Sequence, residues 1–204
     1  MEMMRALRLR CLVFLLELFD LLTFLVFVTG IVLFVRFFVF NPYTVVGQSM
    51  EPEFSQWDFI IVDKVSPRMG RFSRWDVIVF VPEGKDVPYI KRIIGLPWEV
   101  VRVKDGKVFV CTKPTSGTWD LTCNELSEPY LATWTLTSTT RCKKDEFEVT
   151  WDWYFVMGDN RGHSTDSLCC FGLWCYEWAN YLAYPQDMIG KVAVRLFPEL
   201  KRYW

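Results

Sequence analysis

From Cys11 to Phe40 the chain is almost wholly apolar, and no other stretch constrains it more. Leu21–Val35 carries no charge, and with Arg36 and Phe37–Phe40 the run reaches twenty residues. A helix of that length spans about 30 Å, the thickness of a bilayer's hydrocarbon core. Residues 11–40 are therefore expected to form a transmembrane anchor. Arg36 lies near its far end, where a long stem carries the charge to the headgroups. Glu17 and Asp20 belong to the near interface. Asn41-Pro42 ends the helix, because proline disfavours helical backbone at the residue before it. A cleavable signal peptide also starts basic and turns apolar, but its apolar core ends within about 15 residues at a small-x-small site. Here the run continues to Phe40 and enters Asn41-Pro42-Tyr43, which favours an uncleaved anchor. Arg5, Arg8 and Arg10 make residues 1–10 the cytoplasmic end under the positive-inside rule. Residues 41–204 are then expected on the outer side of a plasma membrane crossed once.

That compartment suits the cysteines. Cys11 lies in the anchor, while Cys111, Cys123, Cys142, Cys169, Cys170 and Cys175 lie beyond it. An even set in an oxidising space permits disulfides, with the pairing left open. Zinc is disfavoured, since there is no Cys-x2-Cys pair and a single histidine. No metal and no organic cofactor is expected. The net charge of -1 comes with no basic stripe, which argues against nucleic acid as a partner.

Beyond the anchor, apolar and β-branched runs alternate with Gly, Pro and Asp. Phe59–Lys64, Asp76–Val81, Tyr89–Ile94, Val100–Val103 and Lys107–Cys111 read as strands, as do Phe147–Thr150, Tyr154–Met157 and Lys191–Leu196. Asp105-Gly106 is a good hairpin turn between two of them. No long helical period recurs, so the fold class is mainly β, an antiparallel sheet following one N-terminal helix. Residues 112–146, rich in Thr, Ser and Cys, show no clear period. Residues 173–184 hold an aromatic cluster suited to a short helix at the membrane surface or to simple packing.

Three short segments carry the chemistry. They are Val46-Gly47-Gln48-Ser49-Met50-Glu51-Pro52, Tyr89-Ile90-Lys91-Arg92-Ile93-Ile94-Gly95 and Gly158-Asp159-Asn160-Arg161-Gly162-His163-Ser164-Thr165-Asp166-Ser167. In this order they resemble the signature of type I signal peptidases. These are membrane-anchored Ser/Lys proteases of peptidase family S26 that remove signal peptides from exported proteins. The resemblance covers residues 41–100 and 154–198. It implies a catalytic core of residues 41–98 and 151–204, with a smaller β cap inserted at 99–150. Residues 173–184 look like an insertion relative to the family.

A serine hydroxyl attacks a carbonyl only when a base takes its proton. His163 is the single histidine and sits at a turn position that varies in the family, so a Ser-His-Asp triad is disfavoured. Lysine serves as base only if its pKa falls from about 10.4 to about 7–8, a change of roughly 4 kcal/mol that burial can supply. On an extended strand Tyr89 and Ile93 share the face of Lys91, while Ile90, Arg92 and Ile94 point the other way. The plain alternative is a surface lysine on an edge strand. The resemblance implies Ser49 as nucleophile, Lys91 as base and later acid, and Ser164 as the hydroxyl orienting the amine. It pairs Asp159 with Arg92, gives Asp166 a supporting role in the same turn, and sets Met50 beside the pocket. The Ser49 N–H would be one oxyanion donor. Gly47 stands where some members have a second, hydroxyl donor. Val45, Val79 and Ile90 fall where the family lines its substrate pocket, though each suits a plain core as well. The implied partners are signal peptides of exported preproteins, ending small-x-small and bound by strand addition. The lipid bilayer and a place near the secretion translocon complete the set. Two rivals stand beside this reading. One is another Ser/Lys maturation peptidase of the same fold, and the other is a silent membrane-tethered β scaffold.

Two departures stand out. Leu168 follows Asp166-Ser167 where the family has arginine, so Asp166 is expected to lose a salt-bridge partner. Tryptophan stands at Trp57-Asp58, Trp75-Asp76 and Pro97-Trp98-Glu99, at turn positions where the family has glycine. A bulky Cβ is costly wherever φ must be positive. These tryptophans are expected to be UGA codons in a bacterium that reads UGA as glycine.

Overall fold

The structure, a computed structural model, describes residues 2–70, 72–112, 121–139, 144–172 and 180–203. The chain divides into two compact units, Met1–Phe40 and Asn41–Trp204. The first is a helix, α1 (Glu2–Phe38), with basic Arg36 in its last turn. Its Leu12–Phe38 portion, 27 residues of mean hydropathy 2.6, is long and apolar enough to cross a membrane. Leu, Phe and Val face outward all around it, as a lipid-facing helix requires.

The second unit is built on antiparallel strands. In chain order these are β1 (Phe40–Thr44), β2 (Phe59–Asp63), β3 (Val77–Phe80), β4 (Tyr89–Gly95), β5 (Glu99–Lys104), β6 (Lys107–Thr112), β7 (Thr122–Glu125), β8 (Glu146–Glu148), β9 (Phe155–Met157), β10 (Met188–Phe197) and β11 (Lys201–Arg202). A short helix, α2 (Val65–Arg68), follows β2. Seven strands form one sheet in the order β1-β2-β10-β3-β4-β9, with β11 added to β10. A second sheet runs β7-β6-β5-β8 and lies within residues 99–150.

Both faces of the large sheet are covered, which is why β3 is apolar at every position. Val77 and Val79 pack with Val45, Met50, Phe54, Ile60, Val62 and Val192 on one side. Ile78 and Phe80 pack with Ile93, Tyr154, Val156, Phe171 and Met188 on the other. A third cluster, holding Val101, Val103, Phe147, Phe155 and Met157, joins the small sheet to β9. Asp105 and Gly106 both take positive φ, 53° and 77°, which closes the β5–β6 hairpin as the Asp-Gly pair requires.

The strands expected from the sequence are found within a few residues of their places, while β1, β7 and β11 were not expected. The strand expected at Phe147–Thr150 is β8, Glu146–Glu148. Beyond it Val149 leaves the ladder and exchanges backbone bonds with Trp98 and Glu99. β7 was not expected, because Thr-Cys-Asn-Glu lacks an apolar alternation. It is held opposite β6 by the Cys111–Cys123 disulfide, whose two residues are ladder partners. Of the aromatic segment 173–184, residues 173–179 lie outside the described residues. The rest packs inward: Leu182 and Ala183 are buried, and the Tyr181 ring stands edge-on to Phe147 and Phe155. Cys142 and Cys175 also lie outside the described residues, and Cys170 is disulfide-bonded.

The tryptophan turns have a common backbone. Trp57, Trp75 and Trp98 take φ of 75°, 81° and 69°, and Trp151 takes 53°. For an L-residue this left-handed region costs roughly 1–2 kcal/mol. Burial does not repay it at three of the four, since Trp57, Trp98 and Trp151 are 65%, 64% and 65% exposed.

Candidate active site

The site lies where the segment after β1 meets β4 and the turn after β9. Ser49 follows Gly47, whose φ of 100° bends the chain away from the strand direction. Val45 anchors that bend by exchanging backbone bonds of 2.9 Å with Trp57 and Asp58. Lys91 sits in the middle of β4, opposite Ile78 of β3 and 3% exposed. Its Nζ donates to Ser49 Oγ at 2.7 Å and to the Ile90 carbonyl at 2.8 Å, and lies 5.3 Å from the Tyr89 ring centre. Burial pushes the Lys91 amine down to about 8, partly opposed by the carboxylates of Asp166 and Asp159. A lysine acting as base would require such a shift, and the alternative of a surface lysine does not hold, since Lys91 is buried.

The Gly158–Ser167 turn backs both residues. Asn160 donates its backbone N–H to the Ser49 carbonyl at 3.0 Å and its side-chain amide to the Gln48 carbonyl at 3.0 Å. Gly158 allows that approach: a Cβ there would stand 2.3 Å from the Ser49 carbonyl oxygen and 2.2 Å from Ser164 Oγ. Arg92 forms a two-pronged pair with Asp159 at 2.9 and 2.6 Å and donates to the Trp75 carbonyl at 2.9 Å. Without an arginine after Ser167, Asp166 is satisfied by amides, taking Gly158 N–H at 2.8 Å and Leu168 N–H at 3.1 Å. Ser164 Oγ is buried beside Gly158 with no hydrogen-bond partner among the described residues. The bond to the Lys91 amine implied by the resemblance is not made here.

A cleft of about 620 Å³ opens beside Ser49 and Lys91, walled by Val45, Ile60, Val79 and Ile90 among others. The three apolar residues expected to line a pocket therefore share one cleft with the two reactive groups. Met50 is instead core, 1% exposed and packed with Phe54 and Val62. His163 and Thr165 also line the cleft. No group of three or more His, Cys, Asp or Glu able to hold a metal ion occurs among the described residues.

Residues 18–196 match the family model of signal peptidase, peptidase S26. The chain belongs to that family. It is accordingly a hydrolase, a peptidase of signal peptide processing. Signal peptidase I S of Bacillus subtilis is 36% identical over 151 residues, covering 69% of this chain and 73% of that protein. Signal peptidase I of Bacillus licheniformis is 32% identical over 166 residues, covering 77% and 81%. A solved signal peptidase I from Enterococcus faecalis V583 superposes with a TM-score of 0.40 at 25% identity, over 59% of this chain and 96% of that one.

The sequence reading missed Asn160 and Glu128. Asn160 lies inside a segment already singled out, so its place in the turn was a usable signal. Glu128 lies in the Thr- and Ser-rich stretch without period, where nothing marked it. It grips Arg161 through both carboxylate oxygens.

Proposed function

We propose that the chain is a membrane-tethered serine endopeptidase that cleaves signal peptides from exported preproteins with a Ser49–Lys91 dyad. The observation that carries this is the 2.7 Å contact between Lys91 Nζ and Ser49 Oγ, made by an amine whose pKa burial lowers to about 8. With the amine neutral, the same contact lets the hydroxyl donate to nitrogen, and Oγ attacks the scissile carbonyl as Lys91 takes the proton. The Ser49 N–H stabilises the oxyanion. Lys91 then returns the proton to the leaving amine, and the acyl group stays on Ser49. A water deprotonated by Lys91 releases it, and the dyad is restored. Arg92 and Asp159 fix the wall behind the amine, while Asp166 holds the turn that carries Ser164. Val45, Val79 and Ile90 receive an extended signal-peptide end, and small side chains at two of its positions suit the apolar walls.

Residues 1–10 remain cytoplasmic in this reading, α1 crosses the membrane, and residues 41–204 work on the outer face, where a translocated signal peptide ends. Residues 99–150 form the cap, since the second sheet falls within them. The test is cleavage of a purified precursor in detergent by wild type beside Ser49→Ala. Wild type should cut after a small-x-small site, and the variant should lose on the order of 10⁶-fold in rate. Cleavage surviving in the variant removes Ser49 from the role, and a silent wild type favours a scaffold.

A further inference from the structure

We propose that Glu128, in the loop after β7, is a positioning residue for the Ser49–Lys91 site. This rests on the dyad reading above. The loop leaves the small sheet at Leu126, whose N–H bonds the Val108 carbonyl at 2.9 Å. It then delivers two side chains to the two arginines behind the active site. Glu128 chelates Arg161, with Nη1 donating to Oε2 at 2.9 Å and Nη2 to Oε1. The Tyr130 hydroxyl donates to Glu128 Oε1 at 2.6 Å, and its ring lies under the Arg92 guanidinium at 4.1 Å.

Arg161 belongs to the turn whose neighbour Asn160 holds Ser49 and Gln48, and its Nε donates to the Gly158 carbonyl at 3.2 Å. The guanidinium is only 1% exposed, so it needs its counter-charge. Removing Glu128 leaves a buried cation unpaired. The nearest answer is for Arg161 to turn toward Asp159 or toward solvent, and either motion shifts the turn that sets Ser49. The first also competes with Arg92 for Asp159.

The experiment measures kcat and KM of wild type, Glu128→Ala, Glu128→Gln and Glu128→Asp on one precursor, with Ser49→Ala as the inactive control. Glu128→Ala should lose tenfold or more in kcat, with KM within about twofold of wild type, because the apolar cleft walls Val45, Val79 and Ile90 lie outside the turn that shifts. Glu128→Asp should recover part of that loss. If Glu128→Ala does not fold, Glu128→Gln, which keeps the shape and drops the charge, carries the same expectation. A folded variant with wild-type kcat overturns the proposal, as does a loss lying wholly in KM. Inactive wild type would instead strike the dyad reading.

Backbone geometry supports a second, independent proposal. We infer that Trp57, Trp75, Trp98 and Trp151 are glycine in the protein as its cell makes it, each encoded by a UGA codon read as glycine. Six tryptophans lie among the described residues: 57, 75, 98, 134, 151 and 153. Four of these six have positive φ, whereas every other non-glycine residue type together contributes three, Asp105, Cys170 and Phe171. Positive φ is a genuine outlier for a bulky residue and ordinary for glycine. Trp98 and Trp151 are neighbours, with ring centres 6.1 Å apart, but Trp75 packs instead on Tyr130, so no one packing role explains the same residue type at all four turns. What they share is the residue, and a codon is the simplest common cause.

Trp153 is the internal contrast. It lacks positive φ, and its half-buried ring meets Tyr184 edge-on at 4.6 Å at the margin of the core. Two measurements settle the matter: the codons in the native gene, and peptide masses of the protein isolated from its own cells. UGA at positions 57, 75, 98 and 151, with glycine masses in the peptides spanning them and UGG at 153, is the expected result. UGG at the four positions, or UGA with tryptophan masses, overturns the inference.

Discussion

At the scale of single residues, the site turns on where Lys91 holds its proton. Lowering its pKa to about 8 in the fold, against about 10.4 for an ordinary lysine, corresponds to about 3 kcal/mol disfavouring the charged amine. In the proposed dyad the base must be neutral to take the Ser49 proton, so activity is expected to fall as pH drops through about 8. The expected profile of kcat/KM climbs tenfold per unit below that value and levels off above it. Lys91→Arg, charged at every accessible pH, should be inactive throughout. Loss of cleavage in a folded His163→Ala would hand the base role to His163. The same shift makes the folded chain gain stability as pH rises from about 8 toward 10.4, because the unfolded lysine binds the proton more tightly in that window. The contact between Ser49 and Lys91 could be anticipated because both fall inside short segments whose order resembles a known signature. The surroundings of Asp166 were not. Leu168 in place of arginine pointed to a lost salt bridge, and backbone amides of Gly158 and Leu168 supply the bonds instead. Side-chain letters do not announce amide donors.

Elements were readable wherever one physical signal dominated. β3 and β4 are buried on both faces, so each reads as a nearly unbroken apolar run, and each was placed within a residue or two. Lys91 and Arg92 interrupt β4 as neighbours. Such a break is costly inside a sheet unless each charge is answered, as Arg92 is by Asp159. The strands that escaped are those held by contacts distant in sequence. β7 depends on a disulfide to β6, and β1 depends on β2 for its pairing. β11 is two residues long and exists as an extension of β10. The loop from Leu126 to Thr137 is the clearest case. Glu128, Tyr130 and Thr137 follow no period because they answer Arg161, Arg92 and the Asp105-Gly106 turn rather than a regular lattice. Thr137 binds both Arg161 and the Gly106 carbonyl.

For the molecule as a whole, the four left-handed tryptophans bear on stability more than any single contact. At roughly 1–2 kcal/mol each they remove about 4–8 kcal/mol from a fold whose kind retains about 5–15. Replacing them by glycine restores part of this, since glycine itself loses about 0.5–1 kcal/mol more chain entropy per site on folding. At Trp75 the gain is smaller still, because its ring packs edge-on to Tyr130 at 5.6 Å and belongs to the core's margin. The net for Trp57→Gly, Trp75→Gly, Trp98→Gly and Trp151→Gly combined is then about 2–4 kcal/mol. A body of this size gains about 2–4 °C in Tm per kcal/mol, so the combined variant should melt about 5–15 °C above the tryptophan form. Trp134→Gly supplies the contrast. That ring is 83% exposed and its backbone is not left-handed, so its removal should leave Tm unchanged or slightly lower. Differential scanning calorimetry of the three proteins in the same detergent reads both effects. If the fourfold variant melts no higher than the tryptophan form, the turns carry no strain of this size, and left-handed tryptophan is tolerated in all four.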